Sequence, residues 1–166
     1  LKLDTLLRKA GVEAYFQPEF DKEKKQSHMI LLCKDVGGYH NLMRMVSEAN
    51  RSKFYRHPVV DFDLLSTYSK GLIATSGCLV GAIPRLLLGG HSDTAEKMAR
   101  KFKSIFKDDF YLEVQPYELE PQILVNEALV ELGEKLNIPC VMATDSHYVL
   151  KQDYDSYLMM HKLSGS

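Results

Sequence analysis

The sequence predicts an α/β fold built on a largely parallel sheet. Three observations carry that expectation. Continuous apolar runs of strand length recur at MILLC (29–33), GLIATSG (71–77) and IPCVMAT (138–144). Amphipathic stretches of helical period separate the later runs. Strand–helix–strand crossovers produce this alternation.

Each element has its own signal. LDTLLRKAG (3–11) places Leu3, Leu6, Leu7 and Ala10 at helical spacing before Gly11. VEAYF then reads as a strand, and QPEFDKEKKQS as a charged loop. MILLC suits a strand buried on both faces. YHNLMRMVSEAN carries Leu42, Met45 and Val46 on one helical face. RSKFYRHPVVDF reads as irregular, since Pro58 excludes a helix interior. Asp61 or Asp63 starts a short helix at FDLLSTY. GAIPRLLLGG is a helix with Pro84 near its start and Gly89-Gly90 past its end. Ser92 or Asp93 caps TAEKMARKFKSIF. FYLEVQ (110–115) is a strand rich in aromatic and branched residues. Pro121 opens a helix whose apolar stripe is Leu124, Val125, Ala128, Leu129, Leu132 and Leu136, stopped at Asn137. IPCVMAT is a last buried strand.

Composition excludes several classes. The chain has 166 residues, the length of one domain, and 45% hydrophobic residues, which excludes disorder of the whole chain. No apolar run approaches the ~20 residues of a membrane-spanning helix. Lys and Arg number 21 against 22 Asp and Glu, which argues against a basic nucleic-acid grip over the whole surface but leaves room for a local basic groove. The three cysteines, Cys33, Cys78 and Cys140, form no CxxC pair. That argues against a disulfide framework or a zinc ribbon and points to a reducing, cytoplasmic compartment. LKLDTLLRKA lacks the apolar core of a signal peptide. The Leu1 start and the LSGS end look cut from something larger.

In parallel α/β architectures ligands collect at the carboxyl ends of strands. Cys78 follows IATSG there, and Asp145 and His147 follow VMAT as DSH. Two residues apart in an extended segment, Asp145 and His147 project to one side and make half a site for a divalent transition metal. Equally open is a turn-capping Asp145 beside a surface His147. Glu13 sits in an apolar strand start, where a carboxylate needs a partner, a metal or a salt-bridging lysine. His28 stands before MILLC, as a ligand or, more often for such a residue, simply exposed. Cys78 has the alternative of a small buried apolar residue, and Cys33 and Cys140 are assigned to the core. His57, in KFYRH, could touch phosphate or lie in a solvated loop. Carboxylate, imidazole and thiolate together suit zinc, or a zinc and manganese or iron cluster, better than magnesium or calcium. A multi-metal site serves phosphate-ester hydrolysis by activating water and steadying the leaving oxygen. The absence of a Gly-rich phosphate loop, a GxSxG elbow and an HExxH motif leaves nucleotide triphosphatase, serine hydrolase and zincin readings without support.

GVEAYF, SHMILLCKDVGGYHNLMRMVS, GLIATSGCLVGAIPRLLLGG and FYLEVQPYELEPQILVNEALVELGEKLNIPCVMATDSHYV resemble the PHP (polymerase and histidinol phosphatase) domain. The version they resemble stands at the amino end of the bacterial replicative DNA polymerase III alpha subunit. The resemblance runs from about Gly11 to about Tyr148, and SGCLVGAIPRLLLGG and ATDSHY are its most specific pieces. It implies part of a distorted (β/α)7, TIM-barrel-like PHP barrel, with residues 1–166 a single partial domain of a larger polymerase subunit. It also implies that Glu13, His28, Cys78, Asp145 and His147 match the family's metal ligands. The family's early HxH and TDH motifs have no counterpart here, so the first βα units look absent and the cluster incomplete. Tyr117 stands where relatives often carry a histidine.

The resemblance implies partners as well: the remainder of the alpha subunit, DNA through that parent, a separate proofreading exonuclease subunit, and no membrane. The parent would be a DNA-directed DNA polymerase whose palm carboxylates lie in another domain. Three functions stay open. The intact domain could be a metal-dependent phosphodiesterase, in some relatives a 3′–5′ exonuclease. It could be a non-catalytic scaffold or docking domain. It could be a stand-alone phosphoesterase of the histidinol-phosphatase kind. Alone, the chain is expected to hydrolyse little and to expose an open sheet edge.

Overall fold

The computed structural model describes residues 10–19 and 25–164. The helix expected over residues 3–11 lies outside them but for Ala10 and Gly11, and Gly11 opens a strand. The elements in chain order are β1 (Gly11–Phe16), β2 (Ser27–Cys33), α1 (Val36–Ser52), β3 (Phe54–Tyr55), β4 (His57–Val60), α2 (Phe62–Tyr68), β5 (Leu72–Thr75), α3 (Ala82–Leu88), α4 (Ser92–Phe106), β6 (Phe110–Val114), α5 (Glu120–Leu136), β7 (Cys140–Met142) and α6 (Tyr154–Ser164). The mixed α/β architecture is the one expected.

Among the described residues the strands form one open seven-stranded sheet in the order β3-β4-β1-β2-β5-β6-β7. β4 lies parallel to β1, and β5, β6 and β7 run parallel to one another. β2 is antiparallel to both β1 and β5, so the middle of the sheet departs from the parallel expectation. Only ten residues separate β1 from β2, fewer than a parallel crossover needs, so the two pair antiparallel.

Antiparallel pairing also changes how MILLC is buried. Met29, Leu31 and Cys33 are buried, whereas Leu32 is exposed, so β2 covers one face rather than two. The register Ala14↔Met29 and Val12↔Leu31 puts the buried residues of β1 and β2 on the same side. There they join Met45, Leu65, Ala74, Phe102, Phe110, Leu112 and Leu129 in one apolar cluster with the helices.

Helix ends follow the local chemistry. The Asp35 side chain accepts from the Gly38 amide at 2.7 Å and starts α1 ahead of the expected Tyr39. Asp61, not Asp63, caps α2 by accepting from the Leu64 amide at 3.1 Å, and it also pairs with Lys53. His91 takes the N-cap position of α4 without a side-chain hydrogen bond, so neither Ser92 nor Asp93 caps it. Asn137 adopts the left-handed conformation that ends α5. Leu124 is exposed, because the stripe that packs runs through Gln122, Val125, Leu129, Leu132 and Leu136.

The segment expected to be irregular contains β3 and β4. Its pairing is long-range, Tyr15↔Val59 and Phe16↔Val60, and Pro58 sits opposite Phe54 where its missing N–H is tolerated. IPCVMAT also differs: β7 is an exposed three-residue edge strand, and Cys140 is exposed while Cys33 is core. No helix among the described residues is long and apolar enough to cross a membrane.

Phe110 is fully buried and stacks on Phe102 at 5.2 Å. Phe110→Ala is expected to lower the unfolding free energy by roughly 3–5 kcal/mol, read from the urea midpoint. Leu124→Ala, on the exposed side of α5, should stay within about 0.5 kcal/mol.

Candidate metal centre

The sheet face opposite the apolar cluster is the polar one. Glu13 and Tyr15 share that face of β1, and His28 and Ile30 share it on β2. The register pairs Tyr15 with His28 and Glu13 with Ile30, so Glu13 and His28 are diagonal neighbours across the ladder. Glu13 Oε1 and His28 Nδ1 come within 2.7 Å. Glu13 is exposed, so the desolvation cost expected of a carboxylate in an apolar strand start is relieved by water and by His28.

Cys78 reaches the pair through the turn after β5. Gly77 has φ 72°, and a Cβ there would stand 3.0 Å from the His28 carbonyl oxygen. The His28 amide donates to the Val80 carbonyl at 3.2 Å, and His28 forms a parallel bridge with Gly81. A Cβ on Gly81 would lie 2.1 Å from the Ser76 carbonyl oxygen, so the turn closes only around glycine. Arg85 Nη1 donates to the Gln26 carbonyl at 2.5 Å and ties α3 to the chain entering β2. One ligand atom each from Glu13, His28 and Cys78 therefore lies within 4.8 Å of the others.

This triad fits a cation by two criteria. His28 Nδ1 is buried with no hydrogen-bond partner: its 2.7 Å approach to Glu13 Oε1 lacks hydrogen-bond alignment. The donors are one oxygen, one nitrogen and one sulfur, a set suited to a borderline metal such as zinc. The electrostatics agree. Burial pushes the Cys78 thiol above its ordinary value, a backbone hydrogen bond with Val80 opposes this, and the charges of Asp145 and Glu13 push it further up. Two carboxylates around a thiol favour a positive charge in their midst.

Asp145 thus stands near Cys78, yet Asp145 and His147 are not part of the compact triad. The same-side argument for them does not hold, because Asp145 has φ 46° and the chain beyond β7 is not extended. The His147 ring Nδ1 lies 2.7 Å from the Asp145 carbonyl oxygen. A ring held this way as a donor leaves Nε2 as the free lone pair, the tautomer metal-binding histidines use.

Sequence reasoning passed over a buried polar chain beneath the triad. Glu113 is 5% exposed. It accepts from Thr75 Oγ1 at 2.6 Å and from Gln115 Nε2 at 2.9 Å. Thr75 Oγ1 in turn accepts from the Gly77 amide at 3.3 Å, and Asn126 brackets the Gln115 backbone through both amide atoms. The chain runs from α5 to the turn that carries Cys78. Its signal was the alternation of FYLEVQ, which puts Tyr111, Glu113 and Gln115 on one face. His57, read as loop or phosphate contact, stacks on Tyr15 at 4.3 Å, and Tyr15 meets His28 edge-on at 5.3 Å.

A family model described as "PHP domain" matches residues 6–117. The chain belongs to the PHP domain family. The match includes Glu13, His28 and Cys78 and ends before Asp145 and His147. The DNA polymerase III subunit alpha of Borreliella burgdorferi is 41% identical to this PHP domain over 150 residues, 86% of the chain and 13% of that protein. The protein of the same name from Thermus aquaticus is 39% identical over 151 residues, 86% of the chain and 12% of that protein. The one from Aquifex aeolicus is 33% identical over 175 residues, 98% of the chain and 15% of that protein. The chain thus spans about an eighth to a seventh of the length of these relatives.

Because Glu13 and Asp145 raise the Cys78 thiol, removing either charge should favour the thiolate. Glu13→Gln and Asp145→Asn are each expected to move the pH profile of Cys78 alkylation, followed by peptide mass mapping, to lower pH. An unmoved profile in both variants would separate the two carboxylates from the thiol.

Proposed function

We propose that Glu13, His28 and Cys78 hold a divalent transition metal, zinc or manganese or iron, with Asp145 and His147 completing its shell. In the whole polymerase subunit this centre hydrolyses phosphodiesters, as a 3′–5′ exonuclease would. The observation that carries the reading is the convergence of three donor types, from Glu13, His28 and Cys78, within 4.8 Å of one another. Bound there, a metal ion would supply Lewis acidity toward water and a phosphate oxygen. The chain's own residues do the rest. Glu13 and Asp145 bring negative charge, Cys78 gives up its proton to become a ligand, and the Ser76–Gly81 turn fixes Cys78 against the His28 backbone.

The polymerase setting rests on the relatives, each a DNA polymerase III alpha subunit many times longer than this chain. That setting favours the remainder of such a subunit as the partner, with DNA as substrate, over a free histidinol-phosphatase-like enzyme. A scaffold or docking role for a separate proofreading exonuclease has one observation in its favour. The β7 edge and α6 expose Met142, Met159, Met160 and Leu163, apolar surface of the kind that a neighbouring protein covers.

Titration of the chain with zinc and with manganese, followed by calorimetry and elemental analysis, tests the metal site. At least one equivalent should bind, and His28→Ala or Cys78→Ser should weaken it about 10-fold or more while the circular dichroism spectrum persists. Loss of phosphodiesterase activity in the full-length subunit carrying the same substitutions separates hydrolysis from scaffolding. Stoichiometric metal without activity would leave scaffolding as the function.

A further inference from the structure

A concave surface lies at the carboxyl end of β7 and includes Asp145. It is a cavity of about 270 Å³ lined by Tyr117, Asp145, Ser146, His147, Tyr148 and Tyr157. Four of these six residues present rings, and three of them form a connected set. Tyr148 and Tyr157 have centroids 5.4 Å apart at 44°, and His147 meets Tyr157 edge-on at 5.9 Å. Tyr157 continues to His161 at 4.5 Å, and Tyr148 to Tyr154 at 5.8 Å. These outer rings support the pair that faces the cavity.

Aromatic rings of this number normally close on one another in a core. Here Tyr117 and Tyr148 are each 40% exposed, so ring surface stays open to water. The Tyr117 hydroxyl is held by the Thr144 carbonyl, and Thr144 Oγ1 pairs with Ser146 Oγ at 2.9 Å. The Tyr117 side of the cavity is thereby tied to the β7 extension. None of the six lining residues is lysine or arginine, so the cavity offers stacking surface and not a grip on phosphate. Asp145 belongs both to this wall and to the surroundings of Cys78.

We propose that this cavity is a stacking subsite for the unpaired terminal nucleobase of a single-stranded nucleic acid, with Tyr148 and Tyr157 as its platform. The proposal deepens the phosphodiesterase reading and rests on it. A base must leave its duplex partner to enter an aromatic cleft, and every base has a face to stack, so the subsite selects unpaired ends and tolerates sequence. The linkage next to the seated base then lies beside Asp145, a wall of the same cavity.

The chain has no tryptophan, so 2-aminopurine fluorescence reads stacking without interference. A short oligonucleotide with a terminal 2-aminopurine should be quenched on binding to the full chain. An oligonucleotide of the same length ending in an abasic residue should bind more weakly. Tyr148→Ala should raise Kd for the base-ended strand about 10-fold. It should leave the abasic strand, the salt dependence and the zinc affinity unchanged. Tyr157→Phe, which keeps the ring, should bind like the parent. Equal affinity for the two strands, or an unchanged Kd in a folded Tyr148→Ala, overturns the subsite. Quenching in a chain that loads no metal would refute the metal reading and leave the subsite standing. Metal loading without quenching would do the reverse.

Discussion

The register of the β1–β2 ladder is the constraint from which the site follows. Tyr15 opposite His28 puts Glu13 on the diagonal to that imidazole, within reach of its Nδ1. Side chains alternate with period 2 along a strand, so a slip of one residue would turn Glu13 and His28 to opposite faces. The same register keeps Ala14 and Phe16 against Met29 and Leu31 in the apolar cluster. Burial on one face therefore sets the geometry of charge on the other. The β2–β5 pairing extends the arrangement: Ile30 opposite Thr75 ends β5 where the next turn must pass the His28 backbone.

That turn is supported from below as well as from the side. Glycine at 77 and 81 lets the backbone close against His28 and Ser76. Glu113 fixes Thr75, whose hydroxyl holds the Gly77 amide. A buried carboxylate answered by neutral donors is a costly way to build a sheet, and it is tolerated where a polar network specifies one geometry. The position of Cys78 is the geometry specified here. Small residues around a ligand-bearing turn and polar residues beneath it are two halves of one device.

Apolar surface also stands open at the β7 edge of the sheet. β7 is short and exposed, and the helix after it shows methionines and a leucine to solvent. The polymerase setting proposed above would supply a neighbour for these surfaces. The aromatic cavity opens on the same end of the sheet, beside Asp145.

Local chemistry determined much of this from the sequence by itself. The α/β class, five of the strands, the helix stop at Asn137 and the family were legible because apolar period, turn residues and motif wording are properties of short segments. Cys78 and Glu13 were legible as polar residues at strand ends. Tertiary structure decided the rest, wherever partners are far apart in the chain. β4 exists because β1 offers it hydrogen bonds across more than forty residues, and β3 pairs with β4 in turn. Leu32, Leu124 and Cys140 are exposed because burial is set by what packs against a residue and not by its hydrophobicity. Asp145 turns into a left-handed conformation that spacing could not disclose, and Glu13, His28 and Cys78 meet because a ladder and a turn fold three separate segments onto one point.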